Sequence, residues 1–164
     1  MNSITLVRRI KARPSIVFDA LTTVEGIAAW WGPDDLPVVR AEVDARVDGA
    51  YLVRFRTLDG REHVSYGTFL ELVPPRRIVM TYQYALGGEP DERGRTSRIK
   101  FELAAVGGGT ELTFTHTELA GEVSARSHAS GWTGAFDKLV RNMESTENTA
   151  RAGVPADLTR GEQK

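Results

Sequence analysis

The segment Gly67–Tyr82, GTFLELVPPRRIVMTY, decides the fold, because it holds two alternating stretches on either side of a break. Apolar side chains recur at every second position in Ile78, Met80 and Tyr82, the period of a strand with one buried face. The break is Pro74-Pro75, and proline lacks the N–H group that a strand interior needs. We therefore predict two antiparallel strands that meet at the prolines.

The same alternation extends in both directions, from Val38 to His116. Turn-forming residues interrupt it at the spacing of an antiparallel meander. These interruptions are Asp48-Gly49, Asp59-Gly60, Gly87–Gly94 and Gly107–Gly109. The pattern predicts six strands in this region, and the alternation of Ile4–Ile10 predicts a seventh strand before them.

Helical patterns occupy the remaining segments. Pro14 is suited to the first turn of a short helix, and Thr22 and Thr23 can cap a second one that ends near Trp30 and Trp31. After Leu119 the apolar period changes to about 3.6 residues, which predicts a long amphipathic helix. Its stripe consists of Trp132, Phe136, Leu139, Val140 and Met143. The order predicts an α+β fold in which a curved seven-stranded antiparallel sheet grips a long C-terminal helix.

Composition narrows the class of protein. The 164 residues fit one domain, assigned to 1–145, with a polar C-terminal tail at 146–164. A balance of 21 basic and 22 acidic side chains gives no field that would attract nucleic acid. The sequence contains no cysteine, no nucleotide-binding glycine motif and no apolar stretch long enough for a membrane span. We expect a cytoplasmic protein without a cofactor, either a monomer or a homodimer.

Six segments, taken in order along the chain, resemble the START-like (SRPBCC) superfamily. Within it they resemble the branch homologous to the activator of the heat-shock chaperone ATPase. The resemblance covers roughly residues 4–145. Its segments are ITLVRRIKARPSIVFDAL from Ile4, AAWWGP from Ala28, VDGAY from Val47, GTFLELVPPRRIVMTY from Gly67, LTFTHTEL from Leu112 and SGWTGAFDKL from Ser130. The resemblance implies the helix-grip (START-like) fold with a cavity between sheet and helix. It carries over no catalytic set, because this branch has no invariant catalytic motif that can be placed on the sequence. The superfamily includes lipid-transfer modules, polyketide cyclases and members without assigned activity, so the fold does not imply a function.

The leading interpretation is a module that binds a hydrophobic or amphipathic small molecule in that cavity, since pockets of this kind are lined by aromatic side chains. We expect one of Trp30 and Trp31 to face the interior and the other to lie near the cavity rim. The predicted ligand-binding residues are Trp30, Trp31, Phe55, Tyr82, Phe101, Phe114, His116, Trp132 and Phe136. The alternatives are a polyketide cyclase-like or hydrolase-like enzyme that uses the same cavity, and contact with a chaperone.

His116 is the candidate for a catalytic residue. It shares strand parity with Leu112 and Phe114, which directs its ring inward, where an imidazole could transfer a proton or anchor a ligand. A lone histidine is more often a satisfied core residue. No metal site is predicted, because His63 and His128 lack neighbouring ligands at metal spacing.

Charged residues are expected at the surface. Arg8 and Glu42 lie in predicted strands, and we expect both on an exposed face because such side chains are seldom buried without a partner. The mixed-charge segment Glu89–Arg95, EPDERGR, is interpreted as a solvated connector.

Overall fold

The computed structural model describes residues 2–152, and side chains as far as residue 144. These residues form an antiparallel seven-stranded sheet in the order β1-β7-β6-β5-β4-β3-β2, with three α-helices. This architecture confirms the predicted α+β helix-grip fold. The elements are β1 (Asn2–Ile10), α1 (Pro14–Thr22), α2 (Val24–Trp30), β2 (Arg40–Val43), β3 (Ala50–Arg56), β4 (Glu62–Val73), β5 (Arg77–Leu86), a 3-10 helix (Pro90–Glu92), β6 (Ser97–Val106), β7 (Gly109–Leu119) and α3 (Glu122–Ala152).

The strands bury alternate side chains, as their sequence period requires. In β7, Leu112, Phe114 and His116 are fully buried, while the threonines between them are partly exposed. Ile99 and Phe101 lie opposite His116 and Phe114 on β6, and they extend the same buried face. This face of the sheet forms one wall of the core.

Helices α1 and α2 are joined by local hydrogen bonds. The side chain of Thr23 caps α2 by accepting a bond of 3.1 Å from the Gly26 N–H. The Trp30 indole N–H donates to the Ala20 carbonyl over 2.8 Å and ties the end of α2 to α1. The predicted pair of short helices is therefore present, with Trp30 held in the core.

Helix α3 packs its apolar stripe into the core. Trp132, Phe136 and Leu139 are buried, and Val140 and Met143 are partly buried against the same cluster. The helix continues to Ala152, into the segment for which we predict a polar tail, and residues 153–164 lie outside the described part of the chain. Among the helices described, none is long and apolar enough to cross a bilayer.

A buried lysine fixes the loop that follows α2. Lys138 on α3 donates to the carbonyls of Trp31 and Asp34, over 3.2 and 2.7 Å. Burial lowers the pKa of Lys138, and the nearby carboxylates of Asp34 and Asp35 partly oppose that effect. The loop is thereby held against α3, where it forms one side of the pocket described below.

Arg8 and Glu42, both predicted to lie on an exposed strand face, differ in their exposure in the structure. Glu42 is exposed, as expected, and pairs with Arg40 on the edge strand β2. Arg8 is half-buried, because it alternates in phase with Leu6 and Ile10. The prediction of an exposed face was therefore wrong for Arg8, whose long side chain can still carry its charge toward solvent.

Two glycines of α3 face Pro33 in the loop after α2, and they give a matched pair of substitutions. A Cβ atom at Gly134 would lie far inside van der Waals contact with the Pro33 carbonyl oxygen, which is rigid backbone. A Cβ atom at Gly131 would lie 3.7 Å from the Pro33 Cβ, an ordinary contact. We expect Gly134→Ala to lower the free energy of unfolding by about 1–2 kcal/mol, although alanine favours a helix.

The control is Gly131→Ala, which we expect to raise the free energy of unfolding by about 0.5–1 kcal/mol through helix propensity alone. Urea denaturation of the two variants beside the wild type measures both values. Equal effects of the two substitutions would contradict the close approach of α3 to Pro33.

Candidate functional site

A pocket of about 400 Å³ opens to solvent where the first half of α3 meets one end of the sheet. Its walls come from the loop after α2, the β3–β4 hairpin, β5, the loop after β5 and α3. The lining residues that carry the chemistry are Trp31, Phe55, Tyr82, Trp132, Tyr84, Thr57, Asp59, Arg61, His63, Glu92 and His128. The pocket therefore combines an aromatic floor with a polar rim.

Four aromatic side chains form the floor. Trp31 stacks on Tyr82 with ring centroids 6.3 Å apart, and it meets Trp132 edge-on at 5.3 Å. Tyr82 and Trp132 are 5.8 Å apart, and Phe55 completes the surface on the hairpin side. Such rings offer apolar contact area to a ligand at little cost in conformational entropy.

The structure divides the nine sequence-predicted site residues into two groups. Trp31, Phe55, Tyr82 and Trp132 line the pocket. The other five pack inside the core behind it: Trp30, Phe101, Phe114, His116 and Phe136. One tryptophan of the pair, Trp30, faces the interior as expected. The other, expected near the cavity rim, is Trp31, which lies on the pocket floor and is equally buried, and the two rings are in contact at 5.3 Å.

His116 is buried in a complete hydrogen-bond chain. Its Nδ1 accepts from the Trp132 indole N–H over 3.1 Å, so in the neutral ring the proton is on Nε2, which donates to Ser97 Oγ over 2.7 Å. The Ser97 hydroxyl in turn donates to the Tyr82 carbonyl. Burial holds the pKa of His116 well below its usual value, and His128 lowers it further. Since its one acceptor nitrogen is occupied, His116 has the bonding of a structural residue.

His63 holds a second hydrogen-bond chain at the rim. Its Nδ1 accepts from the Gly88 N–H over 3.0 Å, which places the proton of the neutral ring on Nε2, beside Thr57 Oγ1 at 3.1 Å. The Thr57 hydroxyl then donates to Asp59 over 2.5 Å. Burial lowers the pKa of His63, the neighbouring Arg61 lowers it further, and the ring stacks on Phe55. This chain connects the β3–β4 hairpin to the loop after β5.

Glu92 and His128 form a third polar group, which contradicts the interpretation of Glu89–Arg95 as a solvated connector at Glu92 alone, because the other residues of the segment are exposed or partly exposed. Glu92 is buried, and one oxygen of its carboxylate accepts from His128 Nε2 and from Ser124 Oγ. The other oxygen accepts from the Glu89 N–H over 2.8 Å. Burial acts to raise the pKa of Glu92, but its hydrogen bonds outweigh burial and hold the pKa below the usual value.

Two tyrosine hydroxyls lie between these groups. The Tyr82 hydroxyl donates to the Tyr84 hydroxyl over 3.1 Å, and burial raises the pKa of both side chains, which keeps them protonated. Ser65, on the neighbouring strand β4, has a buried hydroxyl without a hydrogen-bond partner in the described part of the chain. One unpaired hydroxyl, that of Ser65, and the neutral tyrosine hydroxyls are therefore present beside the aromatic floor.

The inward direction of two residues of this site, His128 and His63, could have been predicted from the periodicity of the sequence. Ser124 and His128 continue the stripe of Trp132 and Phe136 toward the start of α3 at steps of four, so an extended helical pattern would have placed His128 inside. His63 similarly alternates in phase with Phe69 on β4. Glu92 has no such signal, because it belongs to a single 3-10 turn in a loop.

Known proteins of similar sequence and fold agree with this architecture. A family model described as "Activator of Hsp90 ATPase homolog 1-like protein" matches residues 11–144. A solved protein from Chromobacterium violaceum is 28% identical, with a TM-score of 0.77 over 87% of this chain and 97% of its own. The AHSA1 protein of Silicibacter pomeroyi is 22% identical, with a TM-score of 0.76 over 88% of this chain and 99% of its own.

A third structure, described as the Aha1 dimer from Colwellia psychrerythraea, is 23% identical, with a TM-score of 0.61 over 88% of this chain and 96% of its own. Among curated proteins, none matches this chain. At identities below 25% the likeness shows a shared fold and nothing about the pocket.

Proposed function

This chain belongs to the Activator of Hsp90 ATPase homolog 1-like family, and from that premise we propose that it binds a small amphipathic molecule in the pocket beside α3. The observation that carries the proposal is the pocket itself, whose volume of about 400 Å³ lies in the range of small-molecule sites. The described interior beyond it is filled by packed aromatic and aliphatic side chains. A ligand would therefore bind at the end of the sheet that meets the first half of α3.

The lining defines the chemistry of the ligand. An aromatic or short acyl body would lie on Trp31, Tyr82 and Trp132, since these rings form the pocket floor. Polar groups of the ligand would face the rim, where Arg61 and Asp59 bring charges of both signs. A purely hydrocarbon ligand would leave that rim desolvated without hydrogen bonds, at a cost in affinity.

The enzymatic alternative based on His116 is less favoured by the geometry. A general base needs a free lone pair within reach of the substrate proton. The lone pair of His116 is taken by Trp132, and the ring lies behind the pocket floor rather than in the lining. Chaperone contact, a homodimer and a cytoplasmic location stay predictions.

Occlusion of the pocket tests the proposal. Ser127 is exposed on α3 and lines the pocket mouth, so Ser127→Trp should obstruct entry without disturbing the core. Titration calorimetry with 4-nitroanisole and with decanoate, supported by native mass spectrometry, should show binding to the wild type. We expect Ser127→Trp to weaken that binding by about tenfold or more.

The matched control is Arg126→Trp, which adds the same ring at the adjacent exposed position, outside the pocket lining. It removes only an exposed ion pair with Glu122, which contributes little to stability. Affinity should stay within about twofold of the wild type. Absence of binding by both probes, or equal losses in the two variants, would overturn the proposal.

A further inference from the structure

His128 and Glu92 form a hydrogen-bonded pair in the pocket, here called the dyad. One nitrogen of His128 in this dyad lacks a hydrogen-bond partner among the described residues. Glu92 holds His128 through Nε2 and is itself fixed by Ser124 and by the Glu89 N–H. His128 Nδ1 has no hydrogen-bond partner among the described residues. It is not one of the unpaired atoms that are closed off from solvent. Because His128 lines the pocket, this nitrogen is accessible to a ligand there.

The surroundings of His128 supply a second group with unused bonding capacity. Tyr84 accepts from the Tyr82 hydroxyl, so its own O–H remains free to donate, and no acceptor for it occurs in the described part of the chain. The Tyr84 and His128 rings are 5.9 Å apart, and both line the pocket. One acceptor nitrogen and one hydroxyl donor can thus meet the same ligand atom.

The titratable groups that face His128 come from three elements besides its own. They are Glu92 on the 3-10 helix, Tyr82 and Tyr84 on β5, and His116 on β7 at a ring distance of 4.5 Å. His116 is neutral, because its Nδ1 accepts from the Trp132 indole N–H and therefore carries no proton. The tyrosines are neutral as well, which leaves the Glu92 carboxylate as the charge that faces His128 directly.

We propose that His128, oriented by Glu92, is the proton acceptor for a ligand that carries an acidic hydroxyl, such as a phenol or an enol. On binding, the O–H bond of the ligand breaks and its electron pair stays on the oxygen, while a new N–H bond forms at Nδ1. The ligand is then held as an anion that accepts hydrogen bonds from the imidazolium and from Tyr84. The Glu92 carboxylate balances the positive charge of the ring.

This inference rests on the proposed function, because it specifies the ligand class of the same pocket. It also assigns different roles to the two histidines that lie side by side. His116 has both nitrogens occupied and serves the core. His128 has one nitrogen held by a carboxylate, which fixes the orientation of the ring, and the other nitrogen is available to a ligand.

The test compares 4-nitrophenol with 4-nitroanisole, which has the same ring but no acidic proton. The titrations are made at a pH below the pKa of the free phenol, so that unbound probe is neutral. We expect the phenol to bind the wild type about tenfold or more tightly than the ether. Binding should also produce the visible absorption band of the nitrophenolate anion.

Two variants separate the dyad from general features of the pocket. Glu92→Gln keeps the size of the side chain and removes the charge, but its amide NH2 group cannot accept the bonds made at one of the two carboxylate oxygens. His128→Gln removes the proton acceptor. In both, circular dichroism should report a folded protein, the nitrophenolate band should disappear, and the preference for the phenol should fall to about twofold or less. If Glu92→Gln fails to fold, the proposal is still tested by comparing 4-nitrophenol with 4-nitroanisole on the wild type and on His128→Gln.

The outcomes distinguish the two proposals. Binding of 4-nitroanisole that is sensitive to Ser127→Trp, together with equal binding of the phenol and no anion band, overturns the role of His128 and leaves the pocket function standing. A phenol preference that persists in His128→Gln overturns it as well. Absence of binding by 4-nitrophenol, 4-nitroanisole and decanoate overturns both proposals.

Discussion

Replacement of Trp132 by alanine is expected to lower the free energy of unfolding by about 3–5 kcal/mol, the usual range for a large buried aromatic side chain. The Trp132 ring packs on Phe114 with centroids 4.7 Å apart, on Trp31 at 5.3 Å and on Phe136 at 5.7 Å. Its truncation would open a void where α3 meets the sheet. It would also remove the donor that satisfies His116 Nδ1.

Urea denaturation followed by circular dichroism measures this loss. The conservative variant Trp132→Phe keeps a ring in the site but deletes the N–H donor, so we expect a smaller loss of about 1–3 kcal/mol. A loss below about 1 kcal/mol for Trp132→Ala would place the side chain outside the core and contradict the assigned face of α3.

The second large effect is expected at His116. His116→Leu would leave the Trp132 indole N–H without its acceptor and the Ser97 hydroxyl without its donor, both in the buried core. An unsatisfied buried polar group costs about 1–3 kcal/mol, and we therefore expect a total loss of about 2–4 kcal/mol.

His116→Gln is the matched control, because glutamine offers both a donor and an acceptor and should lose less than His116→Leu in the same denaturation experiment. Since His116 lies behind the pocket floor, His116→Gln should change the affinity for 4-nitroanisole by no more than about twofold. Equal stability of the leucine and glutamine variants would show that the hydrogen bonds of His116 do not stabilise the core.

The fold could be predicted because its determinants are local and periodic. Alternation in segments such as Gly67–Tyr82 predicts strands, and the glycine and proline breaks between them predict the turns. The helical stripe that contains Trp132 and Phe136 predicts which side of α3 is buried. The inward direction of His116 follows from strand parity in the same way, and its zero exposure agrees.

The site could be predicted less well from such patterns, because its position depends on how the helices and strands pack together. The aromatic period identifies side chains that face inward, but it does not distinguish Trp31, at the pocket, from Phe101, in the packed core. The burial of Glu92 depends on His128 and Ser124, more than thirty residues away in sequence. A charged loop residue acquires that partner only after the sheet and α3 have assembled.

The pairing of β1 with β7 imposes a condition on synthesis of the chain. Ile10 pairs with Thr110, and Arg9 lies 102 positions before its ion-pair partner Glu111. At translation rates of about 5–20 residues per second, β1 waits for about 5–20 seconds before β7 has been made. Of the described strands, β1 is thus made first but is among the last to find its neighbour, and chaperones would have access to its apolar face throughout that interval.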